Sequence, residues 1–252
     1  MSRTDTLRQQ ILFSAPLGAH DPNAGAKAVL IIGVIALGLV LDSRGSPLLH
    51  LAASVPVWLT LLWLLHQQTP AWRLTLVVAT AFALAAEALF SLGWGLYDYR
   101  FHDIPAYVPP AHTLLFMVGV YCGRKLPARL VPLLLLMLVA GALWMTISGA
   151  SRFDGLMLLI LLALARYGSQ PRIYILMVPI ALMVELGGTE LGEWRWQREA
   201  PGLGLSLHNP PLLAGVCYSL FDVYMMRTAR WFHRWRGAPS SLSDAGAAAP
   251  QA

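Results

Sequence analysis

The chain has 252 residues, of which 57% are apolar and only 12% charged, with a formal net charge of +5. The charged share is about half that of a soluble domain, so polar groups cannot cover a soluble surface, and the composition is that of a multi-pass membrane protein. The positive charge lies mostly between apolar runs, where it bears on orientation in a bilayer and does not point to nucleic acid as a partner.

Residues 1–25 read as a cytoplasmic tail, and the first apolar run has no small-residue cleavage pattern of a signal peptide. Eight apolar runs follow, near 26–41, 48–65, 74–95, 110–122, 130–148, 155–167, 174–192 and 211–226. Several approach the ~20 residues that cross a bilayer core. The expected fold is an all-α, eight-helix transmembrane bundle over 26–236, with halves at about 26–123 and 130–232. The segment 237–252 is small and polar, too poor in apolar mass to pack. With the N-terminus inside, 13 of the 18 Lys and Arg face the cytoplasm and 5 the other side. That split predicts an inner-membrane protein with both termini cytoplasmic.

The third and seventh runs carry one plan twice. Glu87 is followed by Trp94, Tyr97 and Tyr99, a polar link with Asp98 and Asp103, and re-entry at Pro109-Pro110-Ala111-His112. Glu185 and Glu190 are followed by Trp194 and Trp196, then re-entry at His208-Asn209-Pro210-Pro211. An offset of 97 residues sets Tyr97 on Trp194, Tyr99 on Trp196, His112 on Asn209 and Tyr121 on Tyr218. Four spans separate the copies, so both links face outward, as in a parallel four-plus-four repeat.

A carboxylate at membrane depth costs several kcal/mol unless it is paired, protonated or next to water. Two at matched places therefore point to proton chemistry. Glu87 and Glu185 are the candidate acids, with Glu190 nearer the surface. His112, Asp98 and Asn209 are candidates to position water or polarise a substrate. Trp94, Tyr97, Tyr99, Tyr107, Trp194 and Trp196 are expected either to form an interfacial belt or to floor an apolar cleft, where rings stabilise positive charge. His208 and Asp222 complete the expected substrate contacts, Asp222 being otherwise a partner for Tyr218 or an arginine. No HxxxH, HExxH, GxGxxG, Walker or GxSxG pattern occurs, Cys122 and Cys217 are not paired in spacing, and the Gly-rich stretch 200–207 reads as a loop. Neither a cofactor nor a resident metal is expected, although a site scattered over Glu87, His112, Glu185 and His208 stays open.

The Gly95-Leu96-Tyr97-Asp98-Tyr99 exit with Ile104-Pro105 and Val108-Pro109, and Glu193-Trp194-Arg195-Trp196 in the second copy, resemble the integral-membrane carotenoid enzymes. These are the bisanhydrobacterioruberin-type carotenoid hydratases and the heterodimeric-type lycopene cyclases. The resemblance covers about 70 residues and implies cofactor-independent acid chemistry on a long polyene. The chain departs from the cyclase pattern where Pro-x-Glu-Glu is expected, having Pro109-Pro110-Ala111-His112. The expected function is a membrane enzyme acting on an isoprenoid or acyl lipid by carboxylic acid–base chemistry, as a hydratase, cyclase or isomerase. The alternatives are a proton-coupled transporter or flippase, and a non-catalytic membrane subunit. The expected partners are a membrane lipid or isoprenoid, and a second copy or a membrane partner subunit.

Overall fold

The computed structural model describes residues 21–235, so the expectations for 1–20 and for the segment from 236 onward lie outside the described residues. Eight α-helices are described: α1 (Ala24–Asp42), α2 (Pro47–His66), α3 (Pro70–Glu87), α4 (Val108–Lys125), α5 (Leu130–Ile147), α6 (Arg152–Tyr167), α7 (Pro171–Glu190) and α8 (Gly215–Trp235). Prolines stand in the first turns of α2, α3, α4 and α7. There the missing N–H loses no helical bond and the fixed φ favours entry. Each helix lies within a few residues of an apolar run, except that α8 starts and ends later than its run.

Five helices are long and apolar enough to cross a membrane: α1, α2, α3 with the turn that follows it, α5 and α7. Their outer faces keep large apolar side chains uncovered, among them Val29, Leu48, Leu133 and Met183. A patch of that extent marks an interaction or membrane surface. Apolar residues 108–123 of α4 form a shorter apolar helix, and α6 has only 16 residues.

Four helices close a central ring in which α3 packs on α4, α4 on α7, α7 on α8, and α8 back on α3. The α1–α2 pair leans on α4, and the α5–α6 pair on α7. Gly215 lets α8 touch α7, because a Cβ there would lie 2.6 Å from the Val178 backbone.

The links, read from the sequence only as polar connections, hold secondary structure. Strand β1 (Tyr97–Tyr99) pairs antiparallel with β2 (Trp194–Trp196), so that Tyr97 faces Trp196, Asp98 faces Arg195 and Tyr99 faces Trp194. The stretch read as a Gly-rich loop contributes a small hairpin of β3 (Glu199–Ala200) and β4 (Leu205–Ser206). The β1–β2 ribbon caps the central ring and turns alternate aromatic side chains down into it, since successive strand residues point to opposite faces.

Candidate functional site

Glu87 is the last residue of α3 and precedes a six-residue π-helical turn, Ala88–Gly93. Such wide turns leave an irregular wall and recur at functional sites. Gly95, at φ 71°, ends this turn and starts β1; Gly192, at φ 72°, does the same before β2. Both occupy the left-handed region that glycine enters without strain. Each therefore sends the chain from a helix into a strand two residues before an aromatic that reaches back to a glutamate.

The Glu87 carboxylate is buried, and its Oε2 accepts the hydroxyls of Tyr97 and Tyr99, each at 2.6 Å. Its Oε1 lies 3.2 Å from His112 Nε2. His112 Nδ1 is 3.1 Å from the Val108 carbonyl, an acceptor only, so Nδ1 carries a hydrogen and donates. In neutral His112 the Nε2 is consequently an acceptor, and a hydrogen bond to Glu87 requires a proton on the carboxyl. The alternative is an imidazolium facing a carboxylate. Either state would place one proton between Glu87 Oε1 and His112 Nε2.

Glu185, also buried, is held differently. Its Oε2 accepts the indole N–H of Trp194 at 2.8 Å and of Trp196 at 3.0 Å, and its Oε1 accepts the Tyr218 hydroxyl at 3.0 Å. Indole nitrogens donate and never accept, so Oε2 is kept as an acceptor. Gly188, one turn after Glu185, leaves room for the Trp194 ring, which an added Cβ would overlap. The two glutamates meet through their third partners: the His112 and Tyr218 rings lie 4.7 Å apart and 4° from parallel.

A groove of about 320 Å³ leads to this cluster between α3 with its π-turn and α8. Its walls are apolar, including Phe82, Phe90, Cys217 and Phe221, and its closed end is formed by Glu87, Tyr97, His112, Glu185, Trp196 and Tyr218. Leu89 and Leu220 line it and are exposed on the outer surface, so the groove opens sideways, toward where lipid chains would lie. On the α1 side a cavity of about 30 Å³ touches the same glutamates and reaches Tyr107.

Of the residues singled out from the sequence, Glu87, Glu185, His112, Tyr97, Tyr99, Trp194 and Trp196 converge here. Others do not. Asp98 is exposed and accepts from Gln197 Nε2 at 2.8 Å, because strand alternation turns it away from Tyr97 and Tyr99. Glu190 is exposed at the end of α7. Asn209 matches His112 in sequence but accepts the Trp196 backbone N–H at 2.9 Å and holds the ribbon; Tyr218 takes the third position at Glu185. His208 is exposed and donates to the Pro210 carbonyl at 2.9 Å. Trp94 is half-buried and donates to the Pro201 carbonyl at 2.7 Å. Asp222 is buried on α8 and does not meet Tyr218, whose hydroxyl is committed to Glu185; among the described residues neither of its oxygens accepts a hydrogen bond. Among the described residues no three His, Cys, Asp or Glu side chains converge as metal ligands.

Sequence reasoning did not find a second polar cluster at the link end. Asp42 closes α1, where its Oδ1 is 2.7 Å from His50 Nδ1 and its Oδ2 accepts the Tyr107 hydroxyl at 2.9 Å. Arg100 donates to the carbonyls of Asp42, Leu191 and Gly192, tying the ends of α1 and α7, and its Nη2 lies 3.4 Å from Glu193 Oε1. Burial, then a hydrogen bond to Asp42 and its charge, pushes the Glu193 carboxyl up to about 8 against the pull of Arg100. The available signal was an acid, Asp42, at the end of an otherwise apolar run, with Tyr107 preceding the proline re-entry.

Compared with known proteins, the chain matches no family model, no curated protein and no solved structure.

Proposed function

We propose that the protein is a membrane-embedded acid–base enzyme that acts on an apolar isoprenoid or acyl lipid entering sideways from the bilayer. The observation that carries this reading is the apolar groove ending on two buried glutamates joined through His112 and Tyr218. Glu87 and His112, sharing one proton, supply it to a substrate double bond at the closed end of the groove. The C–H bond forms as the O–H or N–H bond breaks, and positive charge develops on the neighbouring carbon. The faces of Tyr97, Trp196 and Tyr218 stabilise that charge, as rings do for desolvated cations, and the Glu185 carboxylate adds a fixed negative charge. Loss of a proton from an adjacent carbon back to the Glu87–His112 pair gives an isomer. Attack of a second double bond of the substrate on the cation, which forms the C–C bond, followed by the same proton loss, gives a ring. Attack by water, with loss of its second proton to the pair, gives an alcohol. This fits the chemistry of the carotenoid hydratases and cyclases that the sequence resembles.

In this reading all eight helices cross an inner membrane, with both termini cytoplasmic and both links outside. The chain is then a parallel duplication of four helices. The matched glycines at Gly95 and Gly192 and the pairing of β1 with β2 about Asp98 and Arg195 support it. Mass spectrometry of lipids retained by the purified protein tests the substrate class. A polyene or other long unsaturated chain is expected, and retention of bulk phospholipid alone counts against the reading.

A further inference from the structure

We propose that Tyr107, Asp42 and His50 form a proton relay between the paired glutamates and the surface that carries the links. The inference rests on the acid–base reading of the site, which requires protons to reach a cluster otherwise closed by aromatic rings and by a groove that faces lipid.

The inner end of the relay is the cavity of about 30 Å³, lined by Glu87, Tyr99, His112, Glu185 and Tyr107 among others. Its volume suits about two water molecules, and the Glu87, His112 and Glu185 side chains, set in a mainly apolar lining, offer them polar partners. Tyr107 is almost wholly buried and turns its hydroxyl from this cavity onto Asp42 Oδ2 at 2.9 Å. Asp42 Oδ1 meets His50 Nδ1 at 2.7 Å. The other His50 nitrogen, Nε2, faces the exposed Asp103 carboxylate at 3.6 Å, where solvent begins. Hydrogen-bonding contacts thus run from His50, beside solvent, through Asp42 to Tyr107, whose side chain lines the cavity, and every member can both donate and accept a proton.

One inward transfer balances as follows. Nε2 of His50 takes a proton from a solvent acid, hydronium or a protonated buffer, whose conjugate base returns to bulk, as Nδ1 gives its own to Asp42. A turn of the carboxyl carries that proton to the Tyr107 side. The Tyr107 hydroxyl turns its hydrogen off Oδ2 toward the cavity, and its oxygen accepts the Asp42 proton as that hydrogen passes to a cavity water. Each transfer makes one O–H or N–H bond and breaks one, so the net result is one proton moved, with His50 left in its other tautomer until the ring turns. The other charged groups facing Asp42 are Arg100, which donates to its backbone carbonyl, and Glu193, whose Oε1 is buried, accepts no hydrogen bond and has Arg100 at 3.4 Å. They hold the ends of α1 and α7 around the relay and bias its charge.

The test needs no substrate. With the full chain in lipid nanodiscs and its tryptophans ¹⁵N-labelled, hydrogen–deuterium exchange at the Trp194 indole N–H, which lines the cavity, is followed by NMR. The Trp94 indole, bonded to the Pro201 carbonyl at the outer surface, is the internal reference. A positioned proton-transfer group is typically worth ~10²–10⁴-fold, so Tyr107→Phe and His50→Gln should each slow exchange at Trp194 by at least about tenfold and leave Trp94 unchanged. A merely structural role predicts the opposite sign, since a loosened core exchanges faster. An unchanged or faster rate at Trp194 in either folded variant overturns the relay, and His50→Gln decides if Tyr107→Phe does not fold. Slowed exchange in a protein that makes no product would sink the enzymatic reading alone, whereas normal product formation with unchanged exchange would sink the relay alone.

Discussion

Glu87 and Glu185 stand at matching places before the two links, yet their partners differ in one chemical respect. Around Glu87 all three partners, Tyr97, Tyr99 and His112, can pass protons in both directions. Around Glu185 two of the three are indoles that only donate. The first carboxyl is therefore set in a network that can exchange its proton, and the second in a clamp that holds it as an acceptor. One helix–glycine–strand plan thus carries two hydrogen-bond arrangements, and Tyr or Trp at the ribbon positions distinguishes them.

The largest expected effect comes from removing the exchangeable proton. Glu87→Gln keeps size and one acceptor oxygen, so the protein should fold while product formation falls by ~10²–10⁴-fold. Next is Gly188→Ala, whose methyl group would displace the Trp194 ring from Glu185. Overpacking of this kind costs about 1–3 kcal/mol, visible as a lower midpoint of thermal unfolding, and Glu87 should be untouched. Glu185→Gln keeps an oxygen for the two indoles only by turning its amide NH2 onto the Tyr218 hydroxyl. That hydroxyl hydrogen then loses its acceptor, a loss of about 1–3 kcal/mol in stability, larger than that of Glu87→Gln; equal losses at both glutamates would erase the contrast between them. Tyr99→Phe should be milder, about 1 kcal/mol for one hydrogen bond, because Tyr97 still donates to the same oxygen.

A further effect, read against pH, lies outside both glutamate sites. Glu193 has a folded-state value of about 8 against the usual glutamate value of 4.5, chiefly through burial. The folded protein thus binds this proton more tightly than the unfolded chain, and the stability it brings is present below about 4.5 and is lost as pH rises toward about 8. Thermal midpoints measured across that window should decline with pH in the wild type and decline less in Glu193→Gln.

The helices and the glutamates could be read from the sequence because long apolar runs and intramembrane acids are local signals. The pairing of β1 with β2 could not: three-residue strands carry no usable period, and their partners lie about one hundred residues apart. The alignment of His112 with Asn209 misled about the second site, since Asn209 accepts the Trp196 backbone N–H and it is Tyr218, nine residues on and inside α8, that reaches Glu185. Asp98 is a candidate from the sequence to position water or polarise a substrate, but the alternation of strand side chains turns it outward, away from Tyr97 and Tyr99. The Asp42–His50–Tyr107 chain joins three segments that no sequence spacing connects.

The central claim is that the shared proton of Glu87 and His112 acts on a lipid that enters through the groove. Its most direct test compares lipid extracts of cells producing wild-type protein with those producing Glu87→Gln, matched for folded protein in the membrane. The account predicts that one unsaturated lipid accumulates in the variant and that its product, heavier by one water or equal in mass, disappears. Indistinguishable extracts from equally folded proteins would contradict it.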